Sequence, residues 1–163
     1  MDRRDSHGDR DIIPIHGRKQ ADPLAGGSVD PRGGDSAARE FAERALTPFI
    51  NRLRNRYGSL DARRVASAIG MTVEQLAECL ELPRETVKRS PPPPELEARL
   101  EPFAMVIGIV RDAYGGDDKR VRVWLRNPRP ELDGRSPIET VCVTGGVQRV
   151  LRFVLSAWLG NAD

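Results

Sequence analysis

The sequence predicts an all-α chain, and three observations predict it. Large apolar residues recur every three or four positions from about residue 36 to the end, the period of a helix that buries one face. No stretch alternates apolar and polar residues convincingly, so no sheet of any size is expected. Residues that open and close helices stand at the edges of the periodic stretches. Of the 163 residues, 39% are apolar and 31% charged, a poorer apolar share and a richer charged one than an average domain, so part of the chain is expected outside a core.

That part is residues 1–36. The segment mixes basic and acidic residues with several Gly and Pro, and Ile12, Ile13, Ile15 and Leu24 are its large apolar residues. Too little surface can be buried there to offset ordering entropy, so a disordered tail is expected. The patch Asp11–Ile15 could serve as a short docking strand, although a loose tail is the simpler reading.

Residues 37–90 read as a helical region. Leu46, Phe49, Ile50, Leu53 and Tyr57 share one helical stripe, with Thr47-Pro48 as its expected N-cap and first-turn proline. Arg52, Arg54 and Arg56 line its polar side; they could meet phosphates, but such runs usually face solvent. Asp61 is expected to cap a helix that Gly70 ends, and Thr72 a helix over Val73–Leu80; Pro83–Arg89 follows as a short one. Residues 91–94 are four prolines, read as a linker, because proline fixes the backbone and removes a donor.

Residues 95–160 form the second expected unit. Leu96, Leu100, Phe103, Ile107, Val110 and Tyr114 share a face, with a fresh start or kink expected at Pro102. Gly115-Gly116 breaks that helix and Asp117-Asp118 opens the next, where the helix dipole favours carboxylates. Val121, Trp124 and Leu125 follow, and Asn127-Pro128 stops the helix. Asp133-Gly134 marks a turn in the loop that comes next. Ser136-Pro137-Ile138-Glu139 reads as a capping box with proline in the first turn. A last stripe of Val147, Val150, Leu151, Val154 and Trp158 ends at Gly160.

Composition excludes several function classes. The net charge of +2 rules out a dominant polybasic or acidic tail. No apolar run approaches the ~20 residues that cross a bilayer, and the N-terminus lacks a secretory pattern, so no membrane association and a cytoplasmic location are expected. Cys79 and Cys142 lie far apart, outside any metal-ligand spacing; they fit a reducing compartment, carry no disulfide framework, and Cys142 reads as core. His7 and His16, the two histidines, fall in the tail. No catalytic constellation, metal site or cofactor motif is read, and no enzyme is expected.

The helices expected at 61–69, 72–80 and 83–89 have the spacing of a helix-turn-helix. With Leu76, Ala77, Leu80, Leu82 and Val87 as the small and aliphatic core, Gly70–Arg89 resembles the Xre/Cro-type family. The resemblance assigns DNA contact to Arg84, Thr86, Lys88 and Arg89, where Arg suits guanine edges and Lys or Thr suits phosphate. The chain departs from the family at Val73 (often Gln), Glu81 (usually Gly), Pro83 (usually a polar cap) and Glu85, which adds a negative charge. A purely structural or dimerising helical module is the alternative reading of this segment.

Trp124, Leu125, Asn127, Pro128, Leu132, Gly134, Arg135, Ser136 and Pro137 form a denser signature: a Trp-Leu helix end, an Asn-Pro turn, a Leu-x-Gly-Arg loop and Ser-Pro opening a helix. This resembles the C-terminal toxin-binding domain of Xre/MbcA/ParS-type antitoxins. The loop is expected to present Arg126, Arg129 and Arg135 from a rigid frame, with Trp124, Leu125 and Leu132 as core. Arginine is common at interface hot spots. The resemblance implies a type II antitoxin that neutralises a RES-domain toxin, an NAD-consuming or ADP-ribosylating enzyme, by blocking its active site. It implies no cofactor in this chain. Arg126, Asn127, Pro128, Arg129, Gly134, Arg135, Arg149 and Arg152 are the implied toxin-binding residues, with Trp158 nearby. Binding of operator DNA and a homodimer within a hetero-oligomer also follow from it. The alternative is a stand-alone helix-turn-helix transcriptional regulator whose C-terminal unit dimerises.

Overall fold

The computed structural model describes Leu24 and residues 35–160. Eight α-helices and one 3₁₀ turn make up the ordered elements among these residues: α1 (Asp35–Arg52), α2 (Ala62–Ile69), α3 (Val73–Leu80), α4 (Arg84–Lys88), α5 (Pro94–Ala113), α6 (Asp118–Arg126), the 3₁₀ turn Pro130–Leu132, α7 (Pro137–Val141) and α8 (Gly146–Gly160). Among the described residues the only ladder-type pairing is an isolated bridge between Arg54 and Leu60, so the chain is all-α there. The tail expected to be disordered lies outside the described residues, except for Leu24, which is fully buried, and Asp35-Ser36, which begin α1. No described helix is long and apolar enough to cross a membrane.

The architecture is organised around α5. Nine consecutive residues, Pro102–Val110, are buried, and a helix apolar on every side must sit inside a fold. It packs against α1, α2, α6 and α8. Leu46 and Leu53 of the first segment, Val65, Leu76 and Val87 of the helical triplet, and Trp124, Val150 and Phe153 of the C-terminal region all belong to one buried cluster. Burial of each such side chain stabilises the fold by about 1.5–3 kcal/mol against full exposure.

Most helix boundaries follow from the capping chemistry. The Asp61 carboxylate accepts from the backbone N–H groups of Arg63 and Arg64, and Gly70 ends α2 in the left-handed region at φ 75°. Thr72 and Gln75 form a reciprocal capping box at α3, and Asp117 caps α6 through Lys119 and Arg120. One expected helix start is absent: Thr47 does not open a helix, because α1 begins at Asp35 and runs through Pro48. At Pro102, where a fresh start or a kink is expected, α5 continues without a fresh start. An interior proline costs about 3 kcal/mol. Here the flanking apolar residues are packed into the core, buried Leu46 with half-buried Phe49 and Ile50 in α1 and buried Leu100 and Phe103 in α5, and hold each helix together across its proline. The expected stripe also overruns α1: Tyr57 lies beyond its end and is 59% exposed. Arg54 and Arg56 therefore do not share a helix face with Arg52; Arg54 pairs with Glu97, and Arg56 donates to the Tyr57 hydroxyl.

The cysteines correct the sequence reading. Cys79 of α3 and Cys142 at the end of α7 are joined in a disulfide, 63 residues apart in sequence and 4.5 Å apart at Cα. Their separation along the chain concealed this, because α5 lies between them in sequence while α3 and α7 come together in space. The bond links the helical triplet to the C-terminal region. Cys142 is thus a half-buried cross-link rather than a core thiol.

Candidate functional site

The loop between α6 and α7 is heavily braced. Asp133 and Gly134 both adopt left-handed backbone, at φ 57° and 74°, and reverse the chain. Gly134 N–H then donates to the Arg129 carbonyl at 2.9 Å, and Arg129 N–H to the Arg135 carbonyl at 3.0 Å. Leu132, 1% exposed, plugs the loop into the core. At its far end the Ser136 hydroxyl accepts from Glu139 N–H, while the Glu139 carboxylate accepts from the Ser136 N–H and hydroxyl. The Ser136 N–H, followed by its hydroxyl, holds the Glu139 carboxyl below its ordinary range. Gly146 then allows α8 to start close to α7: a Cβ there would lie 1.7 Å from the Thr140 carbonyl oxygen, so no other residue fits.

The predicted site residues fall into three groups. Arg129 is the clearest correction: it is 8% exposed rather than presented to a partner. Its guanidinium lies 5.0 Å from the Trp124 ring centroid and 5.8 Å from that of Phe153, two rings that stack with a 9° interplanar angle. A cation over aromatic faces in a desolvated setting contributes about 2 kcal/mol, so Arg129 braces the loop from inside. Arg126 and Arg149 are exposed but engaged. Arg126 donates to the Gly70 carbonyl at 3.0 Å, fixing α6 to the α2–α3 junction, and a Cβ at Gly70 would sit 2.8 Å from that guanidinium. Arg149 binds the Asp133 carboxylate at 2.8 Å and the Glu131 carbonyl at 3.3 Å, tying α8 to the loop. That hydrogen bond and charge lower the Asp133 pKa and raise that of Arg149.

Asn127, Pro128, Gly134, Arg135 and Arg152 form the third group, all exposed. The side chains of Arg135 and Arg152 make no hydrogen bond or ion pair among the described residues. Trp158 is half-buried, and its indole N–H donates to Asp112 at 2.8 Å, which ties α8 to α5.

The segment assigned to DNA contact is built differently. α4 has five residues, and Pro83 at its start provides no side-chain cap. The Glu74 carboxylate lies 2.7 Å from Arg84 and 3.2 Å from Lys88, so one acid of α3 engages two of the four residues assigned to DNA. Glu74's own backbone N–H, followed by Lys88 and Arg84, pulls its pKa down to about 2. Thr86 is half-buried, and Arg89 is exposed at the helix end. Glu81, where the resembling family has Gly, adopts left-handed backbone at φ 54°, so the turn keeps its shape without the residue that suits it best. No group of three or more His, Cys, Asp or Glu residues among those described could hold a metal ion.

The loop is braced, restarts a helix through Ser-Pro and displays polar residues from a Trp-anchored frame. Residues 110–156, from the last turn of α5 into α8, match the family model of the antitoxin Xre/MbcA/ParS C-terminal toxin-binding domain. Over these residues the chain is similar to that family. It matches no curated protein and no solved structure.

One basic feature escapes a reading of the sequence. Arg52, Arg63, Arg64, Arg111 and Arg122 line a single cleft, with Asp118 as the acid among its lining residues. They come from four helices, so no window of sequence contains them together; of the five, the sequence pattern marks only Arg52 as a candidate for phosphate.

Proposed function

We propose that this chain is the antitoxin of a type II toxin–antitoxin pair, that it acts in the cytoplasm, and that its partner is a RES-domain toxin. Neutralisation is by steric occlusion: the surface around Asn127, Pro128, Arg135 and Arg152 seats on the toxin and closes its NAD pocket. NAD belongs to the partner's chemistry, and this chain contributes no catalytic group. Operator binding and a homodimer within the complex are part of the same reading.

The observation that supports it is the coincidence of the family match over 110–156 with the braced loop. Pre-organisation favours binding because little conformational entropy remains to be lost on association. The second reading, a stand-alone regulator, depends on α4, where Arg84 and Lys88 are already paired with Glu74.

Co-expression with the toxin encoded by the adjacent reading frame tests the proposal. The wild-type chain should restore growth, preserve cellular NAD and co-elute with the toxin on size exclusion. Arg135→Glu should lose most of this protection while keeping its helical circular dichroism. Full protection by Arg135→Glu would take this loop out of the interface. Absence of both complex and rescue with the wild-type chain would overturn the antitoxin reading itself.

A further inference from the structure

We propose that a band of arginines running from α4 across α2 to α1 and α6 binds the phosphodiester backbone of nucleic acid, and that the assigned recognition helix supplies only one end of it. The proposal deepens, and rests on, the operator-binding part of the proposed function.

Two adjacent concavities carry it. One is lined by Arg52, Arg63, Arg64, Arg111 and Arg122. The other is lined by Arg63, Lys88 and Arg89 beside Asp61. Arg63 lines both, so the two adjoin, and their cations come from five helices, α1, α2, α4, α5 and α6. Seven cations thus line these two concavities in a chain whose net charge is only +2. The two carboxylates within the band are already engaged: Asp61 accepts from the backbone at the start of α2, and Asp118 binds Arg111 at 2.9 Å. Glu74 touches the band only at Lys88.

The arginines divide by what already holds them. Arg64 donates to the carbonyls of Arg52 and Arg54, and Arg111 binds Asp118 and covers the Phe49 ring at 5.0 Å. These two shape the cleft. Arg52, Arg63 and Arg122 are exposed, and their side chains make no hydrogen bond or ion pair among the described residues. They are available to a ligand, and the planar guanidinium fork matches phosphate oxygens in pairs.

An acidic protein surface would also be attracted. Protein interfaces, however, carry an apolar or aromatic centre. The one large aromatic in this cleft, Phe49, is half-buried and covered by the Arg111 guanidinium. A basic track with no apolar anchor is the footprint of backbone binding, which is electrostatic and independent of sequence.

The test measures binding of the full chain to a labelled mixed-sequence duplex of about 30 base pairs by fluorescence anisotropy across a salt series. Arg52→Ala/Arg122→Ala should weaken binding about tenfold and flatten the slope of log affinity against log salt by roughly 1.8, at about 0.9 for each phosphate no longer neutralised. Arg52→Lys/Arg122→Lys should restore most of the slope, and Arg84→Ala should stay within about twofold of wild type, because that cation is already paired. Circular dichroism checks that the variants fold. If the double alanine variant binds as wild type while Arg84→Ala does not, α4 carries operator binding and the band is refuted. If the wild-type chain binds no duplex at low salt, the band and the operator reading both fall, and the antitoxin reading is untouched. If the double alanine variant loses only the toxin complex, the band serves an acidic protein partner and the proposal is overturned.

Discussion

The α3–α4 turn and the α6–α7 loop each direct arginines toward solvent, yet they are held in opposite ways. The first is stabilised at its surface: α4 is five residues long, uncapped by any side chain, and its Arg84 and Lys88 share the exposed carboxylate of Glu74. The second is stabilised from within, by buried Leu132, by Arg129 against Trp124 and Phe153, and by the Ser136–Glu139 box. Surface ion pairs contribute roughly 0–1 kcal/mol, whereas a buried aromatic contributes several times more. This chain puts its rigidity where the antitoxin family match lies and leaves the segment resembling a DNA-contact helix held only at its surface.

Substitutions on the two sides should separate accordingly. Trp124→Ala removes a 2%-exposed ring and the platform for Arg129, and should cost about 3–5 kcal/mol, read as a lower urea midpoint. An unchanged urea midpoint would break the contrast. Replacing both Cys79 and Cys142 by Ser opens a covalent loop spanning 63 residues and should cost about 4 kcal/mol by the chain-entropy estimate, with the loss matched by adding a reductant to the wild type. Glu81→Gly should act in the opposite direction. It relieves a left-handed Glu and should raise the stability of the triplet by about 1 kcal/mol, less the extra freedom glycine gains when unfolded.

The smallest effect is pH-dependent. The carboxyl of Glu74 is lowered in the fold to about 2 from an ordinary 4.5, so its contribution is present above the ordinary value and is lost as pH falls toward 2. Acid titration by circular dichroism should show a shallower acid-side decline for Glu74→Gln than for the wild type. Because this group is exposed, the difference should be much smaller than that from Trp124→Ala.

Local chemistry made much of this fold readable. Asp61, Gly70, Thr72, Asp117 and Ser136 mark their helix ends because a cap is a contact between neighbours in sequence. Pro48 and Pro102 misled the same reasoning, since buried partners on other helices outweigh the local preference of proline. Everything that depends on distant segments meeting was hidden: the Cys79–Cys142 bond, the Arg126 contact with Gly70, and the arginine band. Arg129 was hidden for a related reason. Its sequence neighbours suggest an exposed loop cation, and only the arrival of Phe153 from α8 makes the pocket that encloses it.

The disulfide also changes what a cut in the backbone means. Residues between Cys79 and Cys142 belong to a closed covalent ring that contains α4, α5, α6 and α7. The run Pro91–Pro94 lies within that ring. A protease nick there would give two bands on a reducing gel and one on a non-reducing gel. The polyproline stretch, which reads in sequence as a boundary, is thus a place where the oxidised chain can be severed while its two expected units remain a single molecule.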